Sequence, residues 1–214
     1  MPRSPAQAKG LLLSCIASPD PCVFLEPKAL YRATTEQVPT SAYTLPLSKA
    51  EILRPGKDLT LISYGHPLYT CSAAITAIEK ELGVSVELID LRTLYPWDKE
   101  TVLNSVRKTG RAVIVHESMI NAGIGAEISA TIMADKETFC RLEAPVERCA
   151  GWSIHMPLVF ERFNIPDVTS KSCSNSVSCS ADHQQEYMMS SKRPSSSKLI
   201  GLSVNLLMAQ TANL

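Results

Sequence analysis

The sequence predicts an α/β fold, with a mostly parallel sheet and helices on both faces, from two observations. Apolar runs of strand length, at 59–65, 84–91 and 111–116, alternate with segments of helix length. Those segments carry boundary residues, with Asp98 ahead of one and Gly83 and Gly110 just past the ends of two. Strands alternating with helices lead to parallel strands joined by right-handed crossovers.

The elements follow in chain order. Ser4 is a good N-cap and Pro5 suits a first helical position, where its missing N–H would be unpaired anyway, so a helix is expected over Pro5–Ala17. Pro21-Cys22-Val23-Phe24-Leu25-Glu26-Pro27 is a short apolar run between prolines and reads as a buried strand. One helix and one strand cannot bury their own faces, so this opening segment reads as the middle of a fold. Residues 28–45 read as a linker, and their polar, proline-punctuated character continues to Asp58. A strand at 59–65, a helix at 69–82, a strand at 84–91 and a helix at 98–108 come next. After them, a strand at 111–116, a helix over Ile124–Ala134 and a weaker strand within 141–149 complete a domain spanning 46–167. From 168 to 214 roughly a quarter of the residues are serine with no sustained apolar period, which predicts a disordered tail.

Composition narrows the function. Lys+Arg and Asp+Glu both number 21, so the formal net charge is zero, and no electrostatic footprint points to nucleic acid or an anionic membrane. No apolar run reaches the roughly 18 to 20 residues of a membrane span, and no secretory or transit peptide is visible. The seven cysteines include no C-x-x-C pair, which argues against a zinc site. Nucleophile-elbow, Walker and H-E-x-x-H motifs are absent.

Four groups of residues carry candidate chemistry. Cys15, Ser18 and Asp20 sit where the first helix ends. Unpaired helix-terminal carbonyls, a hydroxyl and a carboxylate make an oxygen-rich site for a hard cation, though on spacing alone an ordinary helix end satisfied by water and turn hydrogen bonds is the simpler reading. His116 and Glu117 end the central apolar strand, where open parallel sheets place ligands. They suit acid–base work or an interface. Gly123-Ile124-Gly125 opens a helix but lacks the third glycine of a dinucleotide fingerprint, Ile128 standing there instead; close helix–sheet packing is the simpler reading. Arg92 and Trp97, on the loop after the third apolar run's predecessor at 84–91, read either as exposed interface anchors or as core with Asp98 capping a helix.

Several strings together resemble one family. Pro2-Arg3-Ser4-Pro5 with Gln7-Ala8-Lys9-Gly10-Leu11-Leu12 resembles the β subunits of thiamine-dependent 2-oxo acid dehydrogenases. Pro21-Cys22-Val23-Phe24-Leu25-Glu26-Pro27-Lys28, followed by Leu30-Tyr31-Arg32, narrows this to the branched-chain members. Ile89-Asp90-Leu91-Arg92-Thr93, Pro96-Trp97-Asp98, Lys108-Thr109-Gly110-Arg111, His116-Glu117 and Gly125-Ala126-Glu127-Ile128 extend the likeness. Leu142-Glu143-Ala144-Pro145 and Phe163-Asn164-Ile165-Pro166-Asp167 carry it to residue 167. The pyruvate dehydrogenase β subunit is the nearest competitor.

The resemblance implies a rear domain like the C-terminal domain of transketolase, preceded at 1–27 by the remnant of a pyrimidine-binding domain. It implies oxidative decarboxylation of branched-chain 2-oxo acids, with acyl transfer to lipoate, in an assembled enzyme that uses thiamine diphosphate. The α subunit and a lipoyl transacylase core are the implied partners, and the mitochondrial matrix the implied location. The front half that supplies the activating glutamate is expected to be missing, so no catalytic or cofactor-binding residue is expected in this chain. A non-catalytic assembly module is the alternative. The family's structural potassium ion maps onto Cys15, Ser18 and Asp20 as an incomplete site, Ser18 and Asp20 standing where the family more often has Asp and Asn. Arg92, Trp97, His116 and Glu117 are the implied interface residues. The departure after Asp167 reads as a gene-boundary error.

Overall fold

A computed structural model describes residues 1–155 and Leu158. The tail expected at 168–214 lies outside the described residues. The elements are α1 (Pro5–Ala17), α2 (Leu30–Ala33), β1 (Glu51–Arg54), β2 (Leu59–Ser63), α3 (Pro67–Leu82), β3 (Val86–Asp90), α4 (Lys99–Thr109), β4 (Ala112–Met119), α5 (Ile124–Ala134), α6 (Lys136–Arg141) and β5 (Glu147–Gly151). The strands form one sheet in the order β1-β3-β2-β4-β5. All neighbouring pairs are parallel except β1 with β3, where Glu51 lies opposite Asp90. This is the expected α/β class: a mixed, mostly parallel sheet between helical layers.

Side-chain alternation on the central strands sorts the core into two layers. Leu59 and Leu61 of β2, Val86 and Leu88 of β3, and Val113 and Val115 of β4 face α3, where Leu68, Cys71, Ala74, Ile75 and Ile78 cover them. On the other face Ile62, Ile89 and Ile114 meet Val102 and Val106 of α4 and Ile128 and Ile132 of α5. Every residue of β2 and of β3 is buried, as a strand covered on both faces requires. Thr60 and Glu87, polar residues on these strands, are paired. Thr60 lies 2.7 Å from Ser105 Oγ and 2.8 Å from Thr109 Oγ1, and the buried Glu87 carboxylate is held by Lys108.

Local chemistry sets the helix ends. Ser4 Oγ accepts from Gln7 N at 3.4 Å, and Asp98 Oδ1 accepts from Thr101 N at 3.2 Å. Gly83 and Gly110 follow α3 and α4 with φ of 65° and 70°, the left-handed turn that glycine adopts without steric cost.

Three expectations need correction. The run at 21–27 is not a strand: it has no regular structure, and Val23 is 86% exposed. Its flanking prolines cannot donate to a ladder, and among the described residues no strand edge lies beside it. The stretch 28–58 is not simply a linker, since it contains α2 and the antiparallel edge strand β1. As expected, the segment 141–149 contains the last strand, which begins at Glu147. The strand expected at 111–116 continues to Met119.

Candidate functional site

The sheet and α1 together bring three sequence-predicted cation ligands and one predicted interface residue to a single place. Cys15, Ser18, Asp20 and Arg92 line one cleft of about 600 Å³, with Leu11, Leu47 and the loop residues Thr93, Leu94, Tyr95 and Pro96. One wall is the end of α1 and the extended chain after it; the other is the loop leaving β3. Trp97, His116 and Glu117 do not line this cleft.

At the α1 terminus, Ser18 N donates to Ser14 O at 3.0 Å and to Cys15 O at 3.3 Å, while Asp20 N donates to Ser18 Oγ at 3.3 Å. Each of these oxygens keeps a lone pair. Burial first, and then the hydrogen bond with Cys22, pushes the Cys15 thiol above its ordinary value, so the sulfur stays protonated. The donor set for a cation is therefore oxygen only: the Cys15 carbonyl, the Ser18 hydroxyl and the exposed Asp20 carboxylate. That chemistry fits a hard cation but supplies three of the six to eight oxygens such an ion typically takes. Among the described residues, no group of three or more His, Cys, Asp or Glu side chains is placed to hold a metal.

Arg92 and Trp97 are not the exposed anchors that one reading of their loop allowed. They are 8% and 6% exposed. The Arg92 guanidinium turns inward, Nε donating to Lys49 O at 3.0 Å and Nη2 to Ala50 O at 3.2 Å. Trp97 packs in the core layer with Ile62 and Val102, and Asp98 caps α4 as the alternative reading held. What this loop does present to solvent is Tyr95, 91% exposed, which sequence reasoning passed over.

His116 and Glu117 point to different environments. The His116 ring is fully buried, stacked 6.5 Å from the Tyr64 ring, with Nδ1 2.9 Å from Ser118 Oγ. Burial holds its imidazole below the ordinary value, so it is neutral at physiological pH. Glu117 is half-exposed and pairs with His66 Nδ1 at 3.0 Å. The nearby α5 N-terminus is no phosphate cradle. A Cβ on Gly125 would lie 2.4 Å from His116 Nε2, so the glycine gives its space to the imidazole, and helix–sheet packing is the reason for it.

One cluster escaped the sequence. Asp90, the last residue of β3, has a fully buried carboxylate facing Gln7 and Arg3 ahead of and within α1, and Glu51 of β1 stands beside it. The signal available was a carboxylate closing an apolar strand, Ile89-Asp90, with no capping role in the loop that follows.

Comparison with known proteins places these features. The family "Transketolase, C-terminal domain" matches residues 48–170. The mitochondrial 2-oxoisovalerate dehydrogenase subunit beta of Chaetomium thermophilum is 71% identical over 171 residues, covering 80% of this chain and 36% of that protein. The corresponding Dictyostelium discoideum protein is 49% identical over 167 residues, covering 78% and 45%. A pyruvate dehydrogenase E1 component subunit beta, from Acholeplasma laidlawii, is 43% identical over 166 residues, covering 77% and 50%. The chain thus spans between about a third and a half of the length of these relatives. A solved split-gene transketolase, an inactive β4 tetramer, matches 60% of this chain and 41% of its own at 21% identity and a TM-score of 0.49.

Proposed function

The chain belongs to the transketolase C-terminal domain family, and on that footing we propose that it serves as the rear domain of a branched-chain 2-oxo acid dehydrogenase β subunit. The observation that carries this reading is the 71% identity to a 2-oxoisovalerate dehydrogenase β subunit over 80% of the chain. Pyruvate dehydrogenase β subunits match at lower identity, 43% for the Acholeplasma protein. The reaction of the assembled enzyme is oxidative decarboxylation of a branched-chain 2-oxo acid with acyl transfer to lipoate. Thiamine diphosphate, when bound in that assembly, would supply the nucleophilic catalysis that decarboxylation of a 2-oxo acid needs.

The described residues do no bond-making in this scheme. The two-layered sheet is the rigid scaffold. The α1 end offers the Cys15 carbonyl, Ser18 and Asp20 as part of a potassium shell, the remaining oxygens coming from outside these residues. The α subunit and the lipoyl transacylase core are the proposed partners, with Tyr95 and the Arg92–Trp97 loop that carries it, and the Glu117 end of β4, as contact regions. Names of relatives from three eukaryotes carry the word mitochondrial, which supports the matrix as the location.

A chimaera tests the reading. Residues 1–167 replace the matching segment of the Chaetomium β subunit, which is then assembled with its α subunit. Assembly with that α subunit and thiamine-diphosphate-dependent turnover of 2-oxoisovalerate are the expected result. Assembly of the chimaera with a pyruvate dehydrogenase α subunit in preference to its own would transfer the chain to the pyruvate dehydrogenase group, and a folded but inactive assembly would sink the proposal.

A further inference from the structure

The geometry points to Asp90 as a positioning residue that fastens α1 to the sheet domain through Gln7 and Arg3. The Asp90 side chain is fully buried, and its two oxygens are divided between two structures. Oδ1 accepts from Arg92 N at 3.0 Å, an interaction within the sheet domain. Oδ2 accepts from Gln7 Nε2 at 2.9 Å and pairs with Arg3 Nε at 3.2 Å, both belonging to the α1 segment. Gln7 is itself buried and oriented at both ends. Its Oε1 accepts from Arg3 N at 2.8 Å, and its Nε2 also donates to Glu51 Oε2 at 3.2 Å. Glu51 in turn lies 3.7 Å from Arg3 and 3.9 Å from Arg92, so two carboxylates and two guanidinium groups close a neutral cluster across β1, β3 and α1.

This cluster matters because of where the rest of α1 is attached. Ahead of the helix, Met1 N donates to Arg92 O at 2.7 Å and Tyr69 OH to Arg3 O at 2.8 Å, while the side-chain and loop hydrogen bonds of the helix body run mostly to the strap at 36–45. Ala6 N donates to Glu36 at 3.0 Å, Tyr43 OH to Ala6 O at 2.6 Å, Leu45 N to Gly10 O at 3.2 Å, and Lys9 Nζ to Ser41 O at 2.9 Å. A helix held only by a strap without regular structure would move with the strap. A buried, oriented, charge-assisted bond to the end of a central strand makes it move with the sheet instead. The candidate cation ligands at the far end of α1 are thereby held opposite the Arg92 loop across their shared cleft. This inference does not rest on the identity of the 2-oxo acid or on any turnover.

Hydrogen exchange on the full 214-residue chain tests it. Asp90→Asn keeps an acceptor for Arg92 N but turns its amide N–H groups toward Gln7 and Arg3, both donors. Gln7→Leu breaks the same link from the helix side, and with it the Gln7 bonds to Glu51 of the edge strand β1 and to Arg3 N. Each variant is expected to speed exchange of the α1 amides by about tenfold, with β2 and β4 amides unchanged. The double variant is expected to be no faster than the faster single, because each already breaks the shared Gln7–Asp90 link. Unchanged α1 exchange in Gln7→Leu would overturn the proposal, even if Asp90→Asn failed to fold. Acceleration spread equally over the sheet, or effects that multiply in the double variant, would overturn it too.

Discussion

At the scale of single residues, burial decides chemistry more than residue type does. Gly125 is fixed by the His116 ring, and Gly125→Ala drives a methyl to 2.4 Å from Nε2 in a fully packed layer. Overpacking of this kind typically costs about 1–3 kcal/mol. A urea titration is expected to show the lower midpoint, and an unchanged midpoint would mean the ring has room to move. Burial also pushes the Cys71 thiol up to about 12, so at pH 8 it is almost wholly protonated. Iodoacetamide followed by peptide mapping is expected to label the exposed Cys22 and Cys140 in the native protein and to spare Cys71 until denaturant is added. Sequence spacing anticipated the packing role of the glycines, because a helix opening on two glycines beside a strand has few other uses. It left the Arg92 and Trp97 loop open between two readings, because composition alone does not say whether a loop folds inward. Asp90 stayed invisible for a related reason. Its partners Gln7 and Arg3 lie more than 80 residues away, and no local pattern announces them.

At the scale of elements, the well-capped helices were legible and the short pieces were not. Ser4, Asp98, Gly83 and Gly110 mark helix ends that the structure confirms within two residues. The six-residue α6 has no room for a period, yet Asp135 supplies its start, accepting from Thr138 N at 2.9 Å. The Thr138 hydroxyl first, and then Arg107 of α4 at 2.9 Å, hold the Asp135 carboxyl down at about 2. A carboxylate whose folded value lies below its unfolded one stabilises the fold above the unfolded value of about 3.9 and loses that contribution as pH falls through 2. The difference in urea midpoint between the protein and Asp135→Asn is therefore expected to be constant from pH 7 to 5 and to close between pH 4 and 2. A gap that persists at pH 2 would show that the carboxylate's charge is not what ties α6 to α4. The strand β1 escaped prediction because four residues at a sheet edge, followed by Pro55, show no alternation long enough to read. The run at 21–27 misled in the opposite direction, since an apolar stretch signals burial without saying which neighbour provides it.

At the scale of the whole molecule, one sheet serves two cores. Leu61 and Ile62 are adjacent in sequence yet lie in different layers. Leu61→Ala and Ile62→Ala are each expected to cost about 2–5 kcal/mol. Calorimetry is expected to show each variant with one transition, shifted down as a unit, because the strands between the layers are common to both. Two resolved transitions in either variant would mean that the layers melt apart. The order in which the molecule is made bears on this as well. Gln7 leaves the ribosome 83 residues before Asp90. At roughly 5–20 residues per second, that separation is about 4–16 s of translation. During that interval the Asp90 end of β3 is not yet there for α1 to fasten on, although Leu11 of the helix is buried in the finished protein. The fastening of α1 is thus a late event of synthesis, and pausing between codons 7 and 90 delays it.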